Sequence, residues 1–537
     1  MPSYEGRRNT ETTYDYLRKY ARSDDTWQPW TSPDTVDLAC QTVDAICNGE
    51  SFSVLQLESV VSLVAHPESL YILDDSRLVD ICILWLVQLQ KEDPTYPFGH
   101  EEGYLLFRLV VLAIGIRIIR RVSERKYDIF IKKLLKNQDA EDLSIALMNH
   151  VAKTAVNQIC QTPASAHRFL GWSSDEFEDS LISEQTASTL LDILWTCREG
   201  FFKAWAESYA PSVAGILCII WRRVEMSSTS RRRGMFCDIL WRYNVVAGTD
   251  QWALFELQGS AIHYTEDWRQ IPARANLEDA RKIIQVYTER LTSTSALYPV
   301  PTLAIVGQMV AFAIPFTRLT RGTEDLFVPA LRATLEYFWL TVAGKTPYTK
   351  FILLTVDVAT SVLPAFIMLD HLHKYSPNHV HEFVTTCADL GMIEALAKGL
   401  VLMEADQDLA EEEKSETMFP ACTNFGIVLG MVRPVTFSLS KFAPAFPDWY
   451  KTLRYMRARD SMFETEIRCE RWYKRAETAW GQLGKRLEYD RKVRGAEVMS
   501  SGCAYARCPD PASAKGVRFE CPCDQDVVYC GHRCQKA

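Results

Sequence analysis

Six of the 16 cysteines in this 537-residue chain crowd into its last 35 residues, CAYARCPDPASAKGVRFECPCDQDVVYCGHRCQKA. They are Cys503, Cys508, Cys521, Cys523, Cys530 and Cys534. Thiolates are soft ligands, and closely spaced cysteine pairs on short loops are the usual halves of a tetrahedral zinc site. Cys503-x4-Cys508 and Cys530-x3-Cys534 are two such pairs. Combined, they make a four-cysteine site that brackets Cys521 and Cys523, an interleaved arrangement. A module this short has too little core to fold alone, so bound Zn²⁺ would supply its folding free energy. The expected chemistry is structural metal binding, with the thiolates as ligands rather than nucleophiles.

These residues resemble the MYND zinc finger. The resemblance rests on Cys503-x4-Cys508, on Arg518-Phe519 leading into Cys521, and above all on Tyr529-Cys530-x3-Cys534-Gln535. It implies two zinc ions bound in interleaved fashion and a role in protein–protein contact, often with proline-containing peptides. A long helical region followed by a C-terminal finger also looks like fungal proteins of this family. The family separates its third and fourth cysteines by two residues, whereas Cys521-Pro522-Cys523 leaves one. The fourth ligand is therefore Cys523 from a distorted loop or Asp524 in the family's register; thiolate is the better ligand for structural zinc and favours Cys523. The family's finger continues past Cys-Gln with a short helix that supplies a histidine and a last cysteine. The sequence reaches Ala537 three residues after Cys534. One complete site (Cys503, Cys508, Cys530, Cys534) is expected, with a second, incomplete site begun by Cys521 and Cys523. His532 lies inside the last spacer, where the family has no ligand.

Other chemistry-bearing patterns are weaker. Gly344-Lys345-Thr346 has the end of a phosphate-binding loop, but Trp339 stands where the leading glycine is needed, so no cradle of amides forms. Asp370-His371-Leu372-His373 and His379-Val380-His381-Glu382 place four histidines within 11 residues. A helix would turn His371 and His373 to different faces, and Pro377 marks a helix–helix connection, so a polar loop with capping roles is expected rather than a metal site. Arg231-Arg232-Arg233 reads as a solvated loop. No HExxH or G-x-S-x-G element occurs, nor a methyltransferase motif of the kind some MYND proteins carry. A non-enzymatic protein is expected.

The remaining ten cysteines are dispersed, most in apolar surroundings such as Ile81-Cys82-Ile83 and Leu217-Cys218-Ile219, where a thiol packs as a small hydrophobe. They belong to a long stretch in which apolar residues recur every three or four positions, the mark of helices. Ser32-Pro33-Asp34 starts the first of these with a cap, a first-turn proline and a carboxylate that complements the helix dipole. Further helices are expected over Val54–Val64, Leu78–Leu89, Leu106–Ile119, Ile129–Met148, Ala187–Trp205, Val213–Val224, Ala280–Leu291, Leu326–Val342 and Val380–Leu402. A charged helix is expected from Asp448 to Val493, with Trp472, Tyr473, Ala476, Trp480 and Leu483 near one face. That stripe is expected to pack inward with its arginines in solvent. The acidic run Glu404–Glu413 reads as solvated. The fold class is all-α: an irregular armadillo- or HEAT-like array, or a multi-helix domain, with a small zinc module.

Average apolar content (47%) and charged content (24%) describe a globular chain, and the net charge of −9 argues against a protein that coats nucleic acid. The first 25 residues lack the apolar segment of a secretory signal. Tyr104–Ile119, Leu303–Phe316 and Phe351–Leu369 are too short or too charged to span a bilayer and are expected to be buried helices. The domain reading is a flexible segment 1–29, helical domains over 30–493, a linker 494–502 and the finger 503–537. Together these features suggest an intracellular protein of cytoplasm or nucleus that binds zinc and protein partners, with neither a membrane nor nucleic acid expected. A regulator touching nucleic acid through the basic helix Arg471–Arg494, or an enzyme in the helical region, are the alternatives.

Overall fold

A computed structural model describes residues 14–20, 33–123, 143–172, 180–208, 212–226, 229–248, 253–254, 257, 276–292, 306, 309, 312–313, 321–343, 368–369, 371–402, 419, 422–427, 429–430, 439–462, 467–490, 519–521 and 524–529. The described residues are helical apart from connections and one short hairpin, as the spacing of apolar residues predicts. The chain divides into two compact units, Met1–Arg274 with Ser295–Pro299, and Ala275–Thr294 with Val300–Ala537.

The first unit contains α1 (Leu17–Tyr20), α2 (Pro33–Cys47), α3 (Val54–Ser62), α4 (Ser76–Glu92), α5 (Glu101–Ser123), α6 (Leu143–Ile159), α7 (Pro163–Leu170), α8 (Glu184–Thr196), α9 (Arg198–Glu207), α10 (Ala214–Glu225) and α11 (Ser230–Val246). Helix α2 opens on Pro33, where its missing amide hydrogen costs nothing. Helix α3 is held by a reciprocal cap between Ser53 and Gln56. Buried throughout, Tyr104–Ile119 lies inside α5, and its charges are met within the protein. Arg117 donates to Ser180 O at 2.9 Å, and the Arg108 guanidinium covers the rings of Tyr20 and Tyr104. Among the described residues no helix is long and apolar enough to cross a membrane.

Residues 14–20 are fastened to this unit by tyrosines. Tyr20 donates to Glu58 Oε1 (2.7 Å) and Glu101 Oε1 (2.8 Å), and Tyr16 donates to Phe98 O at 2.6 Å. Lys19 forms ion pairs with the same two carboxylates.

Two expected helices are each broken in two. The stretch Ala187–Trp205 divides at Cys197 (φ −107°, ψ 27°), whose thiol turns away to the carbonyls of Pro94 and Tyr96. In the second unit, Val380–Leu402 divides at Gly391, whose φ of +69° suits glycine and ends the helix in a left-handed turn. Arg231–Arg233, expected in a loop, form the first turn of α11, where Arg232 donates to Ser188 Oγ at 3.3 Å.

The second unit contains α12 (Leu277–Thr292), α13 (Phe327–Ala343), α14 (Pro377–Asp389), α15 (Met392–Leu402), α16 (Phe446–Met462) and α17 (Ile467–Arg486), followed by the strands β1 (Phe519–Cys521) and β2 (Asp524–Tyr529). Instead of one charged helix from Asp448 onward there are two, and their pairing is antiparallel. Trp449 Nε1 donates to Trp480 O (3.0 Å) and Trp480 Nε1 to Trp449 O (2.9 Å), while Arg457 reaches Glu477 at 2.7 Å. Both indoles are thereby buried with their N–H groups satisfied. The Trp449 ring also occupies the space a Cβ would take at Gly484. Trp472, Tyr473, Ala476, Trp480 and Leu483 are buried, and Lys474, Arg475, Lys485 and Arg486 are exposed, as the periodicity predicts.

Candidate metal centre

The cysteine-rich tail contains an antiparallel hairpin whose backbone register bears on the ligand set. Phe519 pairs with Tyr529, Glu520 with Val528 and Cys521 with Asp524, with an irregularity between Glu520 and Cys521. Cys521 therefore stands at the turn end of the hairpin, with Pro522 and Cys523 between the strands. Tyr529 ends β2 at the other end, and Cys530 is bonded to it. Along β1, Cys521 is two residues from the Phe519–Tyr529 pair, about 7 Å at the rise of a strand. The register sets Cys521 and the residue bonded to Cys530 at opposite ends of the hairpin.

The register also places Asp524 directly opposite Cys521, the spacing of cross-strand neighbours. Asp524 is thus a backbone neighbour of Cys521. Cys503, Cys508, Cys523, Cys530 and Cys534 themselves lie outside the described residues, as does His532. Four thiolates with an aspartate as a further donor suit Zn²⁺ by chemistry.

Among the described residues no group of three or more histidines, cysteines or carboxylates is placed to hold a metal ion. The histidine-rich stretch 370–382 has another role. His371 belongs to the helical residues 371–375 instead of a loop, and it is buried. Its Nε2 meets Glu324 Oε1 at 3.1 Å, with its ring against Phe327 and Tyr375. Glu324 is held below its usual range despite burial, because it accepts from the Gly322 amide and from His371. His379 Nδ1 lies 2.7 Å from Ser376 Oγ, the residue before α14, but neither side chain caps a backbone amide of that helix, so the expected capping role is not seen there. The Gly344–Thr346 and Glu404–Glu413 stretches lie outside the described residues.

The described thiols of the helical units contrast with ligands. Burial pushes Cys422 up to about 12 and Cys197 up to about 11, and it raises Cys82 and Cys387 as well. A thiol held protonated neither binds zinc well nor attacks carbon. Gln90 Nε2 donates to Cys197 Sγ at 3.1 Å and fixes it further.

Sequence reasoning had no handle on the Tyr20–Glu58–Glu101 cluster or on the His371–Glu324 contact, since their members are 38 to 81 residues apart in the chain. No family model, curated protein or solved structure matches this chain.

Proposed function

We propose that residues 503–537 form a MYND-like, zinc-stabilised contact module carried by helical units, and that the protein acts by binding other proteins. The observation that carries this reading is the hairpin register, which sets Cys521 and the residue bonded to Cys530 at opposite ends. Cys503, Cys508, Cys530 and Cys534 would hold one zinc; Cys521 with Cys523 or Asp524 would begin a second. Bound zinc supplies no reaction here: it fixes loops, and the fixed loops present a surface. Proline-containing peptides are the partners that the resemblance suggests. The helical units would serve as scaffold, as an armadillo- or HEAT-like array or as a multi-helix domain.

Native mass spectrometry of the whole chain tests the reading. One or two zinc ions per chain, lost in Cys530→Ala, support it. A metal-free chain in zinc-containing buffer overturns it.

A second reading has an observation of its own. Lys474–Arg475 and Lys485–Arg486 are two basic pairs 11 residues apart on the exposed side of α17, about 16 Å along the axis. Arg475 lies over the Phe419 ring, 5.5 Å from its centre, and Arg486 lies along Gly426 and Gly430. Guanidiniums braced in this way favour a phosphate-bearing partner. Binding of a labelled oligonucleotide that weakens with salt, and loses part of its salt slope in Arg475→Gln/Arg486→Gln, would carry that reading.

A further inference from the structure

The reading above uses none of the cysteines outside the tail, yet two of them meet in the first unit. Cys160 follows α6 directly, its amide donating to Val156 O at 3.0 Å. Cys218 lies in α10 and is completely buried. The Cys160 thiol stands 3.8 Å from Cys218 Sγ, two sulfurs in contact although 58 residues apart in the chain. Arg222, one turn beyond Cys218, donates its buried guanidinium to Ile159 O and Gln161 O, the carbonyls on either side of Cys160. The loop bearing Cys160 is therefore fastened to α10 close to Cys218. Cys160 is half-buried and open to a small oxidant, whereas Cys218 is sealed in the core.

We propose that Cys160 and Cys218 are an oxidisable dithiol, closed by hydrogen peroxide to a disulfide that staples the end of α6 to the middle of α10. In the first step the Cys160 sulfur attacks one peroxide oxygen; the O–O bond breaks, a sulfenic acid forms and water leaves. In the second, Cys218 sulfur attacks the Cys160 sulfur. The S–O bond breaks, the S–S bond forms, and the hydroxyl departs as water with the Cys218 proton. The two thiols lose two electrons in all, and the peroxide is reduced to two waters. Closing the pair from contact to a bond of about 2.05 Å asks for a shift of less than about 2 Å.

The whole chain, treated with hydrogen peroxide, alkylated in denaturant and digested with trypsin, tests the proposal. Cys160 leaves in Thr154–Arg168 and Cys218 in Ala204–Arg222, each the sole cysteine of its peptide. The expected product is these two peptides joined, two hydrogens lighter than their sum and separated by reductant. In Cys218→Ser the same treatment should leave the Cys160 sulfenic acid to be trapped by dimedone. Full alkylation of both cysteines after peroxide overturns the proposal. So does Cys160 over-oxidised to the sulfinic acid while Cys218 stays alkylatable, or Cys160 joined indiscriminately to other cysteine peptides. Because the readout is confined to these two peptides, it is independent of whether the tail binds zinc.

Discussion

The helical units and the tail use the same side chain in opposite ways, and the contrast shows how two parts of one chain reach stability. In the helical units, cysteine is one apolar group among many: Cys82, Cys218, Cys387 and Cys422 are wholly buried. There burial raises the Cys82, Cys387 and Cys422 thiols and keeps them protonated, and free energy comes from excluding water and filling space. The tail has 35 residues with six cysteines and little from which to build a core. On the proposed reading its order comes from coordinate bonds, and the thiols must be deprotonated. One part should therefore ignore a chelator, and the other should depend on its absence.

The largest effect that can separate the two is loss of the metal. Cys530→Ala should abolish zinc binding at the four-cysteine site, with far-UV helicity almost unchanged because the helices need no metal. A large loss of helix signal would make the tail and the helices one cooperative unit and end the comparison. Next comes Gly484→Ala, where a Cβ would overlap the Trp449 ring. Chemical denaturation should show a cost of about 1–3 kcal/mol with the zinc count intact.

Glu394 tests packing through pH. Burial pushes its carboxyl up to about 7, helped by Asp448, and its Oε2 has no hydrogen-bond partner among the described residues. The folded state thus holds a proton that the unfolded chain releases near pH 4.5. Stability from this group falls as pH rises between about 4.5 and 7 and is flat above. Glu394→Gln should remove that slope and gain about 2 kcal/mol at pH 8. An unchanged pH profile in denaturant melts would refute it. Zinc retention should move the other way, improving as pH rises, because protons compete for thiolates.

Cys82→Ala, a small cavity in the core, should cost about 1 kcal/mol and release no zinc. The smallest effect is Gly481→Ala. A Cβ there meets nothing within 4 Å, and removing a helical glycine should raise stability by about 0.5–1 kcal/mol. The opposite signs at Gly481 and Gly484, three residues apart on one helix, would show packing to be the decisive quantity.

Much of the fold is legible in the sequence because helices are local. Pro33 marks the start of α2, and the Trp472–Leu483 stripe marks the buried side of α17. The breaks at Cys197 and Gly391 were not legible. One depends on carbonyls about 100 residues away, and the other on a glycine that a helical pattern tolerates equally well. Within the tail, ligand types and spacing can be read directly, while the hairpin register that separates Cys521 from the Cys530 end comes only from strand pairing.

The sequence by itself determined that the chain is mainly helical, where several helices lie and which faces of them turn inward, and that the tail carries a zinc-suited set of thiols, since each follows from residue type and short-range spacing. Tertiary structure alone decided that Trp449 and Trp480 exchange hydrogen bonds, that Glu324 reaches His371, and that Cys160 touches Cys218. Those contacts join residues 31 to 58 positions apart, and their partners are chosen by how whole helices pack, which no local pattern encodes.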